Sequence, residues 1–269
     1  MKIRVDQALV ERGLAESRER AQALVRAGLV VVGEHRVDKP GHKIDAEAPI
    51  RLKGEVCPYV SRGGLKLEGA LERFGLTELG GAVGLDVGAS TGGFSDCLLQ
   101  HGASKVWAVD TGRGQLHEKL RQDGRVTLRE QANARELDLS WVGGRPVDAV
   151  AIDVSFISLR LILPPLAGVV AAGGWVLALV KPQFEAGREQ VGSGGVVRDP
   201  KVHRRVLREM AEFAREGGWR LLGIYRAEPP GPAGNREFFF WMDRGSERPE
   251  LGPEAIEMAI ENALRYHVN

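Results

Sequence analysis

Residues 85–99 read LDVGASTGGFSDCLL. Apolar residues around Asp86 give way to a glycine-rich turn, and the turn opens into residues spaced as an amphipathic helix. Strand, turn and helix in that order are the unit of open parallel sheets, in which ligands sit beyond the carboxyl ends of the strands. Gly88, Gly92 and Gly93 let the backbone bend sharply and let a ligand approach, because no Cβ stands in the way.

Outward from the turn the pattern repeats. From about residue 82, VGLDVG, KVWAVD, VTLRE, VDAVAID and WVLALV read as strands, while FSDCLLQHG, QLHEKLRQDG and FISLRLILPPL fill helix positions between some of them. Near-continuous apolar strands with helices in between predict an α/β fold whose parallel sheet is covered on both faces. Asp199-Pro200 is an N-cap followed by proline at the first helical position, and starts the helix KVHRRVLREMAEFAREGG. WRLLGIYR and REFFFWMD, joined by AEPPGPAGN, read as a closing β-hairpin, and a last amphipathic helix runs from about Pro253 to Tyr266. The first residues are punctuated differently. RVDQALVERG and SRERAQALVRAG stop at Gly13 and Gly28, glycines suited to helix C-caps, with Ser17 placed to cap the second helix. LVVVG, HRVDKPG and APIRL follow as short strands. The chain therefore divides into a small α+β module over residues 1–55, a linker over 56–63 and a larger domain over 64–269.

A length of 269 residues with 43% hydrophobic content is enough to bury both cores. The formal net charge is +1, so any basic surface has to be local. Residues 1–53 hold 11 Lys and Arg against 8 Asp and Glu, an excess that by itself suits a solvated face as well as a nucleic acid. Cys57 and Cys97 lie far apart without a CxxC pattern, and His35, His42, His101, His117, His203 and His267 form no ligand spacing. Neither a disulfide framework nor a metal site is expected, and two plain thiols suit a reducing cytoplasm. The start MKIRVDQALV lacks the apolar core of a signal peptide. Leu161 to Val180 carries no charge over twenty residues, the length of a membrane span, but Pro164-Pro165 and Gly173-Gly174 break it. Backbone breaks are costly in lipid, so this stretch reads as a buried helix, a turn and a strand.

Two cofactors fit the turn. Gly88, Ser90 and Gly93 form a degenerate GxGxxG for a dinucleotide, while Asp86 to Gly92 also reads as acid-x-Gly-x-Ser-x-Gly, a form that binds S-adenosylmethionine. A P-loop is excluded, since no Gly-Lys-Ser/Thr follows. Asp110 ends the next strand 22 residues after Gly88, where a ribose-binding carboxylate falls. VDAVAID delivers Asp153 and WVLALV delivers Lys181 to the same crevice. A carboxylate there suits a cationic sulfonium better than a nicotinamide receiving hydride. A lysine that is merely buried is costly, so it either reaches water or serves a reaction.

Six blocks in order carry a family resemblance: RVDQALVERGLAESRERAQALVRAGLV, YVSRGGLKL, LDVGASTGGFSDCLLQHGA, IDVSFISLRLILP, LVKPQFEAGREQVGSGGVVRDP and GNREFFF. Over nearly the whole chain the sequence resembles the TlyA proteins, also labelled hemolysin A: S4-domain ribosomal RNA 2′-O-ribose methyltransferases with an FtsJ/RrmJ-like catalytic domain. The resemblance implies a Rossmann-like class I methyltransferase fold, a mostly parallel seven-stranded sheet with a C-terminal antiparallel hairpin, beside an S4-like RNA-binding domain. It implies a catalytic set of Lys66, Asp153, Lys181 and Glu237. It places S-adenosylmethionine on Asp86, Gly88, Ala89, Ser90, Thr91 and Gly92, with Asp110 at the ribose and Asn133 near the adenine. Arg4, Arg18 and Lys39 become candidates for phosphate contact. Ribosomal RNA within ribosomal subunits is the implied partner of a cytoplasmic protein, favoured as a monomer, with neither membrane nor metal. The acceptor is implied to be a cytidine of 16S or 23S RNA, or of both.

In the mechanism this implies, Lys181, held by Asp153 and Glu237, stabilises the developing alkoxide of a ribose 2′-hydroxyl, and Lys66 orients the ribose or an adjacent phosphate. A neutral Lys181 acting as base is the variant. Without the resemblance, Lys66 reads equally as the start of a solvated helix and Glu237 as a gatekeeper on an edge strand. Phe94 and Cys97 read as core. Two departures stand out: GRGQL places Arg113 where many relatives have the tyrosine of GYGQL, and CPYV replaces the RAWV-like linker of some members. The rival functions are a non-catalytic RNA-binding or ribosome-assembly factor and, from the family label, a pore-forming haemolysin, against which the broken apolar run argues.

Overall fold

Glycines in the left-handed region, Gly13 at φ 68° and Gly28 at φ 69°, close the first two helices as the spacing predicts. The computed structural model describes residues 2–33, 35–53 and 57–265; Glu55, Val56, Tyr266 and His267, which bear on the expected domain limits, last helix and histidine set, lie outside them. Two compact units divide at Pro58 and Tyr59.

The first unit holds β1 (Lys2–Arg4), α1 (Val5–Glu11), α2 (Arg18–Arg26), β2 (Val30–Val32), β3 (His35–Val37), β4 (Lys43–Asp45) and β5 (Ile50–Leu52). Ser17 caps α2 by accepting from the Arg20 amide at 3.1 Å. Val5, Ala8 and Leu9 of α1 and Ala21, Leu24 and Val25 of α2 meet Val30 and Ile44 in one core. β2 lies between β3 and β5, all antiparallel. β1 pairs with β4 through Ile3 opposite Ile44, a pairing across some forty residues that no local pattern announces.

The second unit contains α3 (Gly63–Phe74), β6 (Val83–Val87), α4 (Gly93–Gln100), β7 (Lys105–Val109), α5 (Glu118–Arg121) and β8 (Val126–Arg129). β9 (Val147–Ile152), α6 (Leu163–Leu166), β10 (Val170–Val180), α7 (Pro182–Glu185), α8 (Pro200–Glu216), β11 (Arg220–Arg226), β12 (Phe238–Asp243) and α9 (Pro253–Leu264) complete it. The unit begins at Tyr59, inside the stretch read as linker. Tyr59 is buried, its hydroxyl donates to Glu68 at 2.8 Å, and the Val60 amide donates to Asp96 at 2.9 Å. Seven strands form one sheet in the order β11-β12-β10-β9-β6-β7-β8. β8, β7, β6, β9 and β10 are parallel, and β12 runs antiparallel to both β10 and β11. This is the fold class expected from the sequence, closing hairpin included.

Three elements differ from their sequence reading. FISLRLILPPL supplies only a 3₁₀ turn over Leu159–Leu161 and the single turn of α6, because consecutive prolines cannot extend a helix toward their N-terminal side. QLHEKLRQDG shortens to the one turn of α5. β10 starts at Val170 and runs through Gly173-Gly174, where the register against β9 shifts between Val170 and Trp175; the glycine pair is a bulge, not the expected turn. Asp199 caps α8 as read, its carboxylate accepting from the Lys201 amide at 2.8 Å. Val202, Val206, Leu207 and Met210 of α8 pack on the sheet together with Ile256 and Ile260 of α9.

Strand order changes direction at β6, where β7 and β8 extend to one side and β9 and β10 to the other. Val87 lies opposite Ile152, so Gly88 and Asp153 leave the sheet side by side at this switch point. The Asp153 amide donates to the Val87 carbonyl at 2.9 Å.

Candidate active site

The turn after β6 is as tight as its glycines require. Gly88, at φ 88°, lies so close to the neighbouring loop that a Cβ would sit 2.5 Å from the Asp153 carbonyl oxygen. Asp86 is fully buried beneath it, and its Oδ2 accepts from both the amide and the hydroxyl of Ser95, at 2.8 and 2.7 Å, in the first turn of α4. Oδ1 of Asp86 has no hydrogen-bond partner among the described residues. Burial pushes this carboxyl up to about 7, against the pull of the Ser95 bonds, with Asp153 and Asp110 adding to the rise.

Two chambers open around the turn. One, of about 270 Å³, is lined by Gly88, Ser90, Asp110 and Asn133 on its polar side and by Val109, Ala132, Ala134, Ile157 and Ile162 on its apolar side. Asp110 is held at its mouth by backbone, accepting from the Ser90 amide at 2.7 Å and the Gly112 amide at 2.6 Å. Asn133 accepts from Arg135 through its amide and guanidinium, at 3.2 and 3.1 Å. Arg113 is exposed on the loop after β7 and does not line the chamber. Thr91 and Ala89 border the second chamber, of about 330 Å³, beside Arg62, Lys66, Phe94, Lys181 and Glu237. Gly92, at φ 96°, precedes α4 and packs on Leu116 and Leu120. Gly88, Ser90, Asp153 and Ser155 belong to both linings and form the shared wall.

Lys66, Asp153, Lys181 and Glu237 converge on the second chamber from α3, the end of β9, the end of β10 and the approach to β12. Their pairing differs from the expected one. Lys181 Nζ lies 2.5 Å from Asp153 Oδ1 and donates to Ser155 Oγ at 3.0 Å. Glu237 takes Lys66 at 2.6 Å, because Lys66 projects from α3 toward the loop before β12. Lys66 is 8% exposed and Glu237 3%, and β12 lies inside the sheet; a solvated helix start and an edge gatekeeper are both excluded. Phe94 and Cys97 are core, as read.

Among the described residues, three other than glycine hold a positive φ: Ser90 at 47°, Gln131 at 54° and Phe156 at 63°. They sit on the loops after β6, β8 and β9; Ser90 and Phe156 line the first chamber, and Gln131 precedes its Ala132. Such strain persists where surrounding contacts over-determine the backbone, commonly at sites. Ser155 and Phe156 escaped sequence reasoning, since no spacing marks them; the available signal was their place just past the carboxyl end of β9.

Residues 59–244 match the FtsJ-like methyltransferase family, and residues 3–50 match the S4 domain. The chain belongs to the FtsJ-like methyltransferase family. The 16S/23S rRNA (cytidine-2′-O)-methyltransferase TlyA of Mycobacterium tuberculosis is 44% identical over 262 residues, 97% of each chain. A Bacillus subtilis protein named "Putative rRNA methyltransferase YqxC" is 49% identical over 97% of this chain and 94% of its own. A solved structure described as "Putative hemolysin from Streptococcus thermophilus" superposes with a TM-score of 0.76 at 46% identity, covering 97% of this chain and 95% of that one. Among the described residues of this FtsJ-like methyltransferase, no helix is long and apolar enough to cross a membrane.

In the first unit, Arg4 and Arg18 meet on the buried Asp6. Arg4 grips it through two nitrogens at 2.9 and 2.7 Å, and Arg18 Nε lies 3.4 Å away. These bonds hold the Asp6 carboxyl well below the usual carboxylate range, the Arg4 bond contributing most. Lys39 is exposed.

Proposed function

We propose that this protein transfers a methyl group from S-adenosylmethionine to a ribose 2′-hydroxyl of ribosomal RNA, with cytidine in 16S or 23S RNA, or in both, as acceptor. The observation that carries the reading is the pair of lysine–carboxylate contacts, Lys181 with Asp153 and Lys66 with Glu237, inside a chamber that shares a wall with the one lined by Asp110 and Asn133. The names and close sequence similarity of the relatives support the same chemistry.

The first chamber fits the nucleoside end of that cofactor. Its apolar wall accepts a flat ring, Asn133 lies beside it, and Asp110 keeps lone pairs for two ribose hydroxyls. A dinucleotide fits less well. Its pyrophosphate needs the amides at the N-terminus of α4, but Asp86 already occupies the Ser95 amide there with a carboxylate. The same buried carboxylate suits a cationic sulfonium. When bound, S-adenosylmethionine supplies an electrophilic methyl group on a good leaving group.

The remaining work is alignment and handling of one proton. Lys181, fixed by Asp153 and Ser155, stabilises charge developing on the acceptor oxygen. Lys66, fixed by Glu237, orients the ribose or its phosphate. Asp153 keeps about a quarter of its side chain exposed, which gives the released proton a way to solvent. Phe156, 92% exposed at the rim of the cofactor chamber, presents a ring for stacking by the acceptor base. The S4 unit recruits folded RNA through phosphate and shape contacts in the cytoplasm, with Arg4, Arg18 and Lys39 as contacts.

The test is Lys181→Ala on ribosomal subunits that lack the modification, with tritiated methyl donor. Transfer falls by about 10²–10⁴-fold while calorimetric binding of S-adenosylhomocysteine persists. Wild-type transfer by the variant sinks the catalytic assignment, and absence of transfer by the unaltered protein sinks the reading as a whole.

A further inference from the structure

The segment 153–159 follows β9 and carries Asp153, Ser155 and the strained, exposed Phe156. A phenylalanine at φ 63° has little intrinsic reason to stay there, so the loop needs holding from outside. The segment 181–185 does so along its whole length. At the near end Lys181 contacts Asp153 and Ser155. In the middle the Phe184 ring stands 5.2 Å from that of Phe156, centroid to centroid. At the far end Glu185, last residue of α7, accepts from the Ser158 hydroxyl at 2.5 Å through Oε2 and from the Leu159 amide at 2.8 Å through Oε1.

The Leu159 amide opens the 3₁₀ turn over Leu159–Leu161, where backbone donors lack partners of their own. Glu185 thus turns the first donor of that turn into an anchor. Its side chain is mostly withdrawn from water, and burial pushes its carboxyl up, with the Ser158 and Leu159 bonds and Arg160 pulling it back. A carboxylate has two acceptor oxygens and meets both donors at once. Glutamine could keep both contacts, its oxygen accepting from the Leu159 amide and its NH₂ donating to the Ser158 hydroxyl, which also accepts; alanine removes both.

We infer that Glu185 is a positioning residue for methyl transfer: it clamps the far end of the 153–159 loop, and through the loop holds Asp153 against Lys181 and Phe156 at the mouth of the site. The inference rests on the methyltransferase reading above. Glu185 lines neither chamber, so it acts through the loop and touches no reacting atom. Displacements of about 1 Å at a reacting centre cost on the order of 10²-fold in rate, so loss of one anchor is felt in turnover.

The experiment compares the unaltered protein with Glu185→Ala, Ser158→Ala and the double variant, on ribosomal subunits lacking the modification. Glu185→Ala lowers kcat about 10- to 100-fold, while KM for the subunits and the affinity for S-adenosylhomocysteine stay within about threefold. Ser158→Ala lowers kcat less, and the double variant is no worse than Glu185→Ala, since both remove the same anchor. Hydrogen exchange at the Leu159 amide accelerates in Glu185→Ala. Unchanged kcat overturns the inference. So does a fall in kcat matched by equal loss of S-adenosylhomocysteine binding and a collapsed melting transition, which marks a purely structural residue. If the unaltered protein transfers no methyl group, the functional reading fails, and with it the catalytic role; the exchange rates then still decide whether Glu185 holds the loop.

Discussion

Lys66 and Glu237 are almost closed to water, so removing either leaves the other as a buried, unpaired charge. Breaking such a pair typically costs about 3–5 kcal/mol, whereas replacing both partners by apolar residues of similar size is near neutral. Glu237→Leu is therefore expected to lower the denaturant midpoint sharply, and Lys66→Met added to it to restore most of the loss. Additive losses would show that the pair is uncoupled in solution. Asp86 makes a prediction of another kind. With its carboxyl near 7, it ionises across the neutral range, and only its ionised form attracts a cation. S-adenosylmethionine carries the sulfonium charge and S-adenosylhomocysteine does not, while other titrating groups are common to both. The ratio of their affinities, measured calorimetrically, is expected to move several-fold toward S-adenosylmethionine from pH 6 to pH 8. In Asp86→Asn, where the amide oxygen still accepts from Ser95, the ratio stays flat. A slope retained in that variant places the sensing group elsewhere.

At the scale of elements, what the sequence revealed is what short-range pattern encodes. β6, β7, β9 and the turn at Gly88 follow from apolar runs and glycines, and α8 from the Asp199-Pro200 start. The elements that escaped depend on partners distant in sequence. β1 and β4 are three residues each and exist through one another, and the bulge at Gly173-Gly174 is defined by its register against β9. The same holds inside the site. Four catalytic candidates converge as the family blocks imply, but Lys66 and Glu237 lie 171 positions apart, and no spacing says which lysine takes which carboxylate. Gly88 joins the two levels, since it ends β6 and its missing Cβ leaves room for the Asp153 carbonyl. Gly88→Ala adds a methyl at 2.5 Å from that oxygen and a side chain at φ 88°. A stability loss of about 1–3 kcal/mol is expected in denaturant unfolding, with a drop in transfer as Asp153 is pushed from Lys181. An unchanged midpoint would mean that the turn has room it does not show.

For the whole molecule, charge is spread so that RNA affinity has to come from one place. The net charge is +1; residues 1–53 carry an excess of three positive charges, and the rest of the chain a deficit of two. Long-range attraction to RNA is therefore weak, and local contacts set the affinity. In the first unit Asp6 holds Arg4 through two hydrogen bonds and lies 3.4 Å from Arg18 Nε, so part of the entropy of ordering Arg4 is already spent in the free protein. Each phosphate contact contributes about 0.7–0.9 to the slope of log affinity against log salt concentration. A small slope, corresponding to a few phosphates, is expected for the unaltered protein on ribosomal RNA. Arg4→Gln with Arg18→Gln, whose amides can still donate to the buried Asp6, should reduce that slope by about 1–2 and weaken target and non-target RNA alike, because phosphate contacts carry no sequence information. S-adenosylhomocysteine binding should be untouched, since its chamber is built from residues of the second unit. A slope unaltered by the double variant would remove both arginines from the RNA interface and leave them as the clamp that satisfies Asp6.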